Sequence, residues 1–232
     1  MPQVPTYMSS SYLQFLLILS SLLVITAGPA RTTETTPLHA SRSLYAVNQS
    51  SNSRGSISVY NIGAGHRLIK TIDTVSGVGD VRGVTASAVT GKLYVAYHDL
   101  SGTGLVYCLD LYNDTILWNR AINPGVDRLA IHPDGRLLYV PTWEGGSADY
   151  INIVDANTGD VVRQVHFSKS SHGTQYPLAG PIFQETKADD GSGNYLYLIN
   201  PKTYDVSRIG PYSGVLGPYA VDSTSSYTVK RS

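Results

Sequence analysis

A block of sequence that recurs about every 45 residues constrains this chain more than any other feature. Leu93-Tyr94-Val95 returns as Leu138-Tyr139-Val140, 45 positions on. At the same offset, Val106-Tyr107-Cys108-Leu109-Asp110 matches Ile151-Asn152-Ile153-Val154-Asp155, and Leu196-Tyr197-Leu198-Ile199-Asn200 follows a further 45 along. The next turn repeats too: Asp155-Ala156-Asn157-Thr158-Gly159-Asp160-Val161 aligns with Asn200-Pro201-Lys202-Thr203-Tyr204-Asp205-Val206. Upstream, Ile57-Ser58-Val59-Tyr60-Asn61 is the same element displaced by 49, with Leu44-Tyr45-Ala46-Val47 ahead of it.

Each unit resolves into four short runs, a to d. In the clearest copy, run a is Arg128 to Ile131 and the turn His132-Pro133-Asp134-Gly135 leads to run b, Leu137 to Thr142. Run c is Tyr150 to Asp155, and Ala156-Asn157-Thr158-Gly159 turns into run d, Val161 to Phe167. Proline presets φ and Gly or Asn accepts φ > 0, which makes these tetrads turns. Run d alternates, with Val161, Arg163, Val165 and Phe167 on one side. Runs b and c are apolar almost throughout, as strands covered on both faces must be. No stretch after residue 31 carries a sustained helical period with caps. Four-stranded antiparallel units at this period predict an all-β chain, a β-propeller of about four blades plus a partial one. The copies run 43–75 (b, c and d only), 82–122, 126–168, 176–210 and a stub at 218–229, with an irregular run b expected between Gly180 and Lys187.

These residues also resemble a known family. Leu-Tyr-Val, a loop, then Ile153-Val154-Asp155 with Thr158-Gly159 and Val161-Val162 is similar to the YVTN-type propeller repeat, found in surface-layer-like proteins and in propellers similar to the β-chain of quinohaemoprotein amine dehydrogenase. The resemblance covers 43–229 and rests on strand and turn residues, so it implies a fold more than an activity. Propellers of that family carry about seven blades in roughly 300 residues or more. For 232 residues, two arrangements follow: an open or partial set of blades, or a four-bladed ring in which Tyr219 to Asp222 supplies the run a missing from the first copy.

Ahead of the repeats, Tyr12 to Ala27 is a long apolar segment followed by Gly28-Pro29-Ala30, which reads as a secretory signal over residues 1–30, with an uncleaved anchor as the alternative. Residues 31–42 read as a linker, and the expected location is exported: periplasmic, cell-surface or secreted.

Lys+Arg and Asp+Glu balance at 17 each, so no basic field exists to attract nucleic acid, and a membrane contact is expected only through an uncleaved N-terminal segment. The single cysteine, Cys108, excludes an intrachain disulfide and reads as a small buried hydrophobe. No nucleophile elbow, zinc-protease helix, phosphate-binding glycine loop or haem motif is present, and no catalytic residue or cofactor is expected. The expected role is a binding module for a protein or small molecule. The alternative is a quinoprotein dehydrogenase-like or lactonase-like enzyme, or a non-functional fragment of one.

In antiparallel blades the b–c and d–a connections emerge at one end and the tight a–b and c–d turns at the other. The long-connection end carries the candidate binding residues His98, Asp99, Trp143, Glu144, Asp149 and His172. Asp189, Asp190, Ser192 and Asn194 present alternating oxygen donors of the kind calcium accepts, without the Glu and Gly of an EF-hand loop.

Overall fold

In the computed structural model, the described residues are 42–49, 55–73, 80–98, 104–142, 148–167, 170–175, 182–187, 194–212, 216–221 and 227–231; only the strand path is described for 170–175, 183–187, 194, 212 and the last two segments. The chain runs β1 (Ser43–Asn48), β2 (Ser56–Asn61) and β3 (Arg67–Ile72), then β4 (Asp80–Ser87), β5 (Lys92–His98), β6 (Gly104–Asp110) and β7 (Ile116–Ala121). It continues with β8 (Ala130–Ile131), β9 (Leu137–Pro141), β10 (Tyr150–Asp155) and β11 (Val161–His166), followed by β12 (Ser170–Gln175), β13 (Ile182–Lys187), β14 (Asn194–Ile199) and β15 (Val206–Tyr212). A final pair is β16 (Leu216–Val221) and β17 (Tyr227–Arg231).

Each group is one antiparallel meander in sequence order: three strands, then three sheets of four, then two. The first sheet is b, c and d, as its sequence implies. The irregular run b expected before Lys187 is instead a regular strand, β13, paired with β12 on one side and β14 on the other. Its irregularity lies in β12, where the register shifts between Ser171 and Thr174.

Apolar strands b and c are explained by two-sided burial. In β5, Leu93, Val95 and Tyr97 face the first sheet and pack with Ile57, Val59 and Ile72. Tyr94 and Ala96 point the other way, joining Leu138, Val140 and Val154 of the third sheet. There Tyr139, Ile151 and Ile153 turn in their turn toward Ile182, Tyr197 and Ile199 of the fourth. Period-two alternation thus sends consecutive residues into different cores. Each fully buried Leu or Ile contributes roughly 1.5–3 kcal/mol. Strand d lies at the outer rim, where cover ends: Val161 and Val162 are exposed, and only Val165 and Phe167 reach the core.

A polar tie crosses the joint between the second and third sheets. The Ala156 carbonyl accepts from Tyr94 Oη at 3.1 Å and from Trp118 Nε1 at 3.3 Å. Burial, first of all, raises the Tyr94 phenol well above its ordinary pKa, so it remains a donor.

The c–d turn is built the same way in three copies. The side chains of Asp110, Asp155 and Asn200 each accept from the backbone N–H groups two and three residues on, at 2.7–3.3 Å. Backbone bonds Asp114 N–Asp110 O, Gly159 N–Asp155 O and Tyr204 N–Asn200 O close each turn at 2.8–3.0 Å. The closing residue is left-handed every time: Asp114 at φ 62°, Gly159 at 78° and Tyr204 at 65°. His132-Pro133-Asp134-Gly135 is likewise a turn, closed by Gly135 N to His132 O at 2.8 Å.

Gly159→Ala is expected to destabilise the fold by about 1–3 kcal/mol, because its φ is positive and a Cβ would stand 2.8 Å from the Trp118 ring. A melting temperature equal to the wild type would contradict this. Cys108 is fully buried, and burial pushes its thiol up to about 11. A thiol reagent at neutral pH is therefore expected to leave it unmodified in the native protein and to titrate one thiol after denaturation.

Candidate functional site

The first turns of the inner strands and the last residues of their neighbours meet at the end of the blades that carries the b–c and d–a connections. Arg82 stands near the start of β4. Pairing passes from Val81↔Tyr97 directly to Gly83↔Ala96, so Arg82 is the extra residue of a β-bulge. Bulges re-aim a side chain while the strand continues. Gly83 permits the next step: a Cβ there would lie 2.8 Å from Arg128 Cα and 3.1 Å from Asp127 O. That close approach of two backbones brings the Arg82 and Arg128 positions side by side.

His98, the last residue of β5, fixes the Arg82 guanidinium. Its Nε2 accepts from Arg82 Nε at 2.8 Å and from Nη2 at 2.6 Å. Arginine only donates, so Nε2 is unprotonated and Nδ1 carries the hydrogen, which it donates to Val126 O at 3.0 Å. The ring is 2% exposed. Arg82 and Arg128 line a cavity of about 570 Å³ together with Val47, Gln49 and Asp127. Asp127 is 5% exposed and accepts from the Arg128 backbone N–H at 2.8 Å. An adjoining cavity of about 450 Å³ shares Val47, Arg82 and Arg128 and adds Tyr45, Val84 and Leu129. Burial raises the Tyr45 phenol, opposed by a hydrogen bond with Ser43 and assisted by the Asp114 charge.

The sequence candidates fare differently. His98 lies at the expected end, but as a buried strand residue behind Arg82 rather than as a loop ligand. Asp149 is exposed beside β10, its Oδ1 3.2 Å from His166 Nδ1. A solvated pair of this kind contributes little. His172 stands in β12, at the register shift, and Asn194 opens β14; neither is in a loop. Asp99, Trp143, Glu144, Asp189, Asp190 and Ser192 lie outside the described residues. Among the described residues, no three or more His, Cys, Asp or Glu side chains are grouped as a metal would need.

Sequence reasoning passed over Arg82, Asp127 and Arg128. A signal existed: Gly79-Asp80-Val81-Arg82 and Gly125-Val126-Asp127-Arg128 place an arginine at matching positions of successive copies, 46 apart.

No protein-family model matches the chain, and no curated protein matches its sequence. Solved structures do. The Myceliophteria thermophila Cps50 (Swd1) β-propeller domain superimposes with a TM-score of 0.57 over 82% of this chain and 62% of that one, at 12% identity. The fold is a β-propeller. The WD40 propeller of Doa1 gives a TM-score of 0.56 at 17% identity, covering 80% of this chain and 56% of that one. A 6-phosphogluconolactonase candidate from Bacteroides uniformis gives 0.57 at 14%, covering 83% and 61%. The propeller described here thus spans between about half and three fifths of the length of these structures. Identities this low carry the fold and nothing of activity.

His98→Phe removes the acceptor of two Arg82 donors and is expected to cost about 1–3 kcal/mol. A urea midpoint indistinguishable from the wild type would show that the Arg82–His98 contact does not hold the bulge.

Proposed function

We propose that this chain is an exported propeller of the YVTN-repeat type that serves as a non-enzymatic binding module. Its binding surface is the end of the blades where the longer connections leave. The observation that carries this reading is the division between the two ends. At one end the c–d turns are short and closed by their own Asx side chains. At the other, Arg82, Gln49, Asp127 and Arg128 surround an open cavity. Rigid sheets with cross-packed cores hold such a surface in fixed geometry, and binding groups belong on connections displayed by a scaffold of this kind.

Export draws on the apolar segment Tyr12 to Ala27 and the small residues after it. The WD40 neighbour and the lactonase candidate share the fold at under 20% identity, so neither lends its activity.

Two measurements on the full chain test the proposal. An alkaline phosphatase that is active only outside the cytoplasm, fused at the C-terminus and expressed in a bacterial host, is expected to be active. An inactive fusion retained inside would end the export reading. The purified protein is expected to leave lactones and primary amines unchanged; turnover above the uncatalysed rate would replace the binding module with an enzyme.

A further inference from the structure

We propose that Asn113 is an N-glycosylation acceptor, which takes an oligosaccharide from a lipid-linked donor as the chain enters a secretory compartment, and that Asn48 is not. The inference rests on the export reading and adds a modification site to it.

An Asn-X-Ser/Thr sequence in which X is not proline is the acceptor motif for N-linked sugar. The chain has two, Asn48-Gln49-Ser50 and Asn113-Asp114-Thr115. The sugar is bulky and belongs at the surface, so the acceptor needs room and an available amide nitrogen. On that point the two asparagines differ. Asn48 ends β1 with its amide hydrogens engaged: Nδ2 donates to Ser56 Oγ at 3.1 Å and to Ser58 Oγ at 2.8 Å. Ser58 is buried, so this amide is tied into the first sheet. Ser50 lies outside the described residues.

Asn113 stands in the turn between β6 and β7, and both Asn113 and Thr115 are exposed. Its Oδ1 accepts from Thr115 N at 3.0 Å and from Thr115 Oγ1 at 2.7 Å. The motif's hydroxyl is thus folded onto the acceptor amide. Among the described residues, Nδ2 donates to nothing. Asp114, between the two, directs its carboxylate to Lys70 Nζ at 2.7 Å, which pairs an anion that would otherwise oppose a pyrophosphate donor.

The turn does not need that nitrogen. In the next two sheets the equivalent residues are Thr158 and Thr203, whose Oγ1 atoms accept from Asp160 N at 3.2 Å and Asp205 N at 3.3 Å. Asn113 Oδ1 takes the same part toward Thr115 N. The need for an acceptor therefore accounts for the side-chain oxygen, and the free NH₂ is what asparagine adds.

In the transfer, Nδ2 forms a bond to the anomeric carbon of the first sugar. The bond from that carbon to the lipid pyrophosphate breaks, the pyrophosphate leaves with the electron pair, and Nδ2 gives up one proton. No oxidant or reductant is required. The turn lies at the end opposite the long connections, so the sugar leaves the Arg82 cavity open. It stands beside Tyr112, Ile116 and Leu117, exposed apolar side chains that a polar chain of sugars would shield.

The test expresses the full chain in insect cells behind a cleavable host signal peptide, which delivers it to the secretory lumen whatever Tyr12 to Ala27 does. Intact mass and glycopeptide mapping, with and without peptide N-glycosidase, are read on secreted and lumen-retained protein alike. One glycan is expected, on Asn113. Asn113→Thr, which keeps the turn acceptor found in the two sister copies, should remove it and preserve the melting temperature. Thr115→Ala should also remove it, and Thr115→Ser should retain it. Asn48→Gln should leave the glycosylated fraction unchanged. Lumenal protein without sugar on Asn113 overturns the proposal, and so does sugar on Asn48. Export by the chain's own segment is read separately by the phosphatase fusion, so the two readings fail independently.

Discussion

Everything in this structure depends on sheets covering one another's faces. A four-stranded antiparallel sheet with apolar strands in its middle has two faces to hide and no means of hiding them alone. Here Leu93, Val95 and Tyr97 need the first sheet, while Tyr94 and Ala96 need the third. The joint is not apolar only. Tyr94 and Trp118 both donate to the Ala156 carbonyl, and Gly159 leaves room for the indole ring. Stability is therefore shared between neighbours, as in other repeat architectures, and a defect in one joint weakens two sheets.

The same packing positions the candidate site. Inner strands converge, and where β4 meets the chain at Asp127 and Arg128 the backbones come close enough to require glycine at position 83. A bulge in that strand turns Arg82 out of the ladder, and the end of β5 supplies the imidazole that holds it. A scaffold made for burial thus delivers two cationic side chains to one cavity. The arrangement needs residues from three sheets, with Val47 and Gln49 coming from the first.

Much of the fold could be read from the chain itself because its evidence is periodic. The 45-residue recurrence, the apolar b and c runs and the Asx-type turns each follow from local chemistry repeated several times. Places where local chemistry decides less were read less well. Run b before Lys187 lacks the Leu-Tyr-Val signature, yet pairing on both sides makes β13 regular. His98, expected as a binding residue on a loop, is instead a buried residue closing β5. Its burial depends on a neighbour, Val126, that lies 28 residues further on. Arg82 was invisible for a related reason: a bulge is a property of a strand pair, and no single strand announces it. The recurring arginine was a legible hint, but one shared position among two copies says nothing about whether the side chains meet.

Asp114, Gly159 and Tyr204 adopt the same left-handed conformation in the same turn of three successive sheets, although they are an acid, a glycine and an aromatic. Two of the three accept a backbone strain that glycine would avoid. Tyr204 instead lies under the Arg163 guanidinium, 4.6 Å from ring centroid to carbon, and Asp114 pairs with Lys70 at 2.7 Å. The backbone bonds and the Asx side chain define the turn, and whichever residue closes it is free to find local compensation. Under such a rule, copies within one chain drift apart in sequence while their geometry stays in step. Between chains, propellers superimpose at 12–17% identity, so one geometry can be written in very different letters.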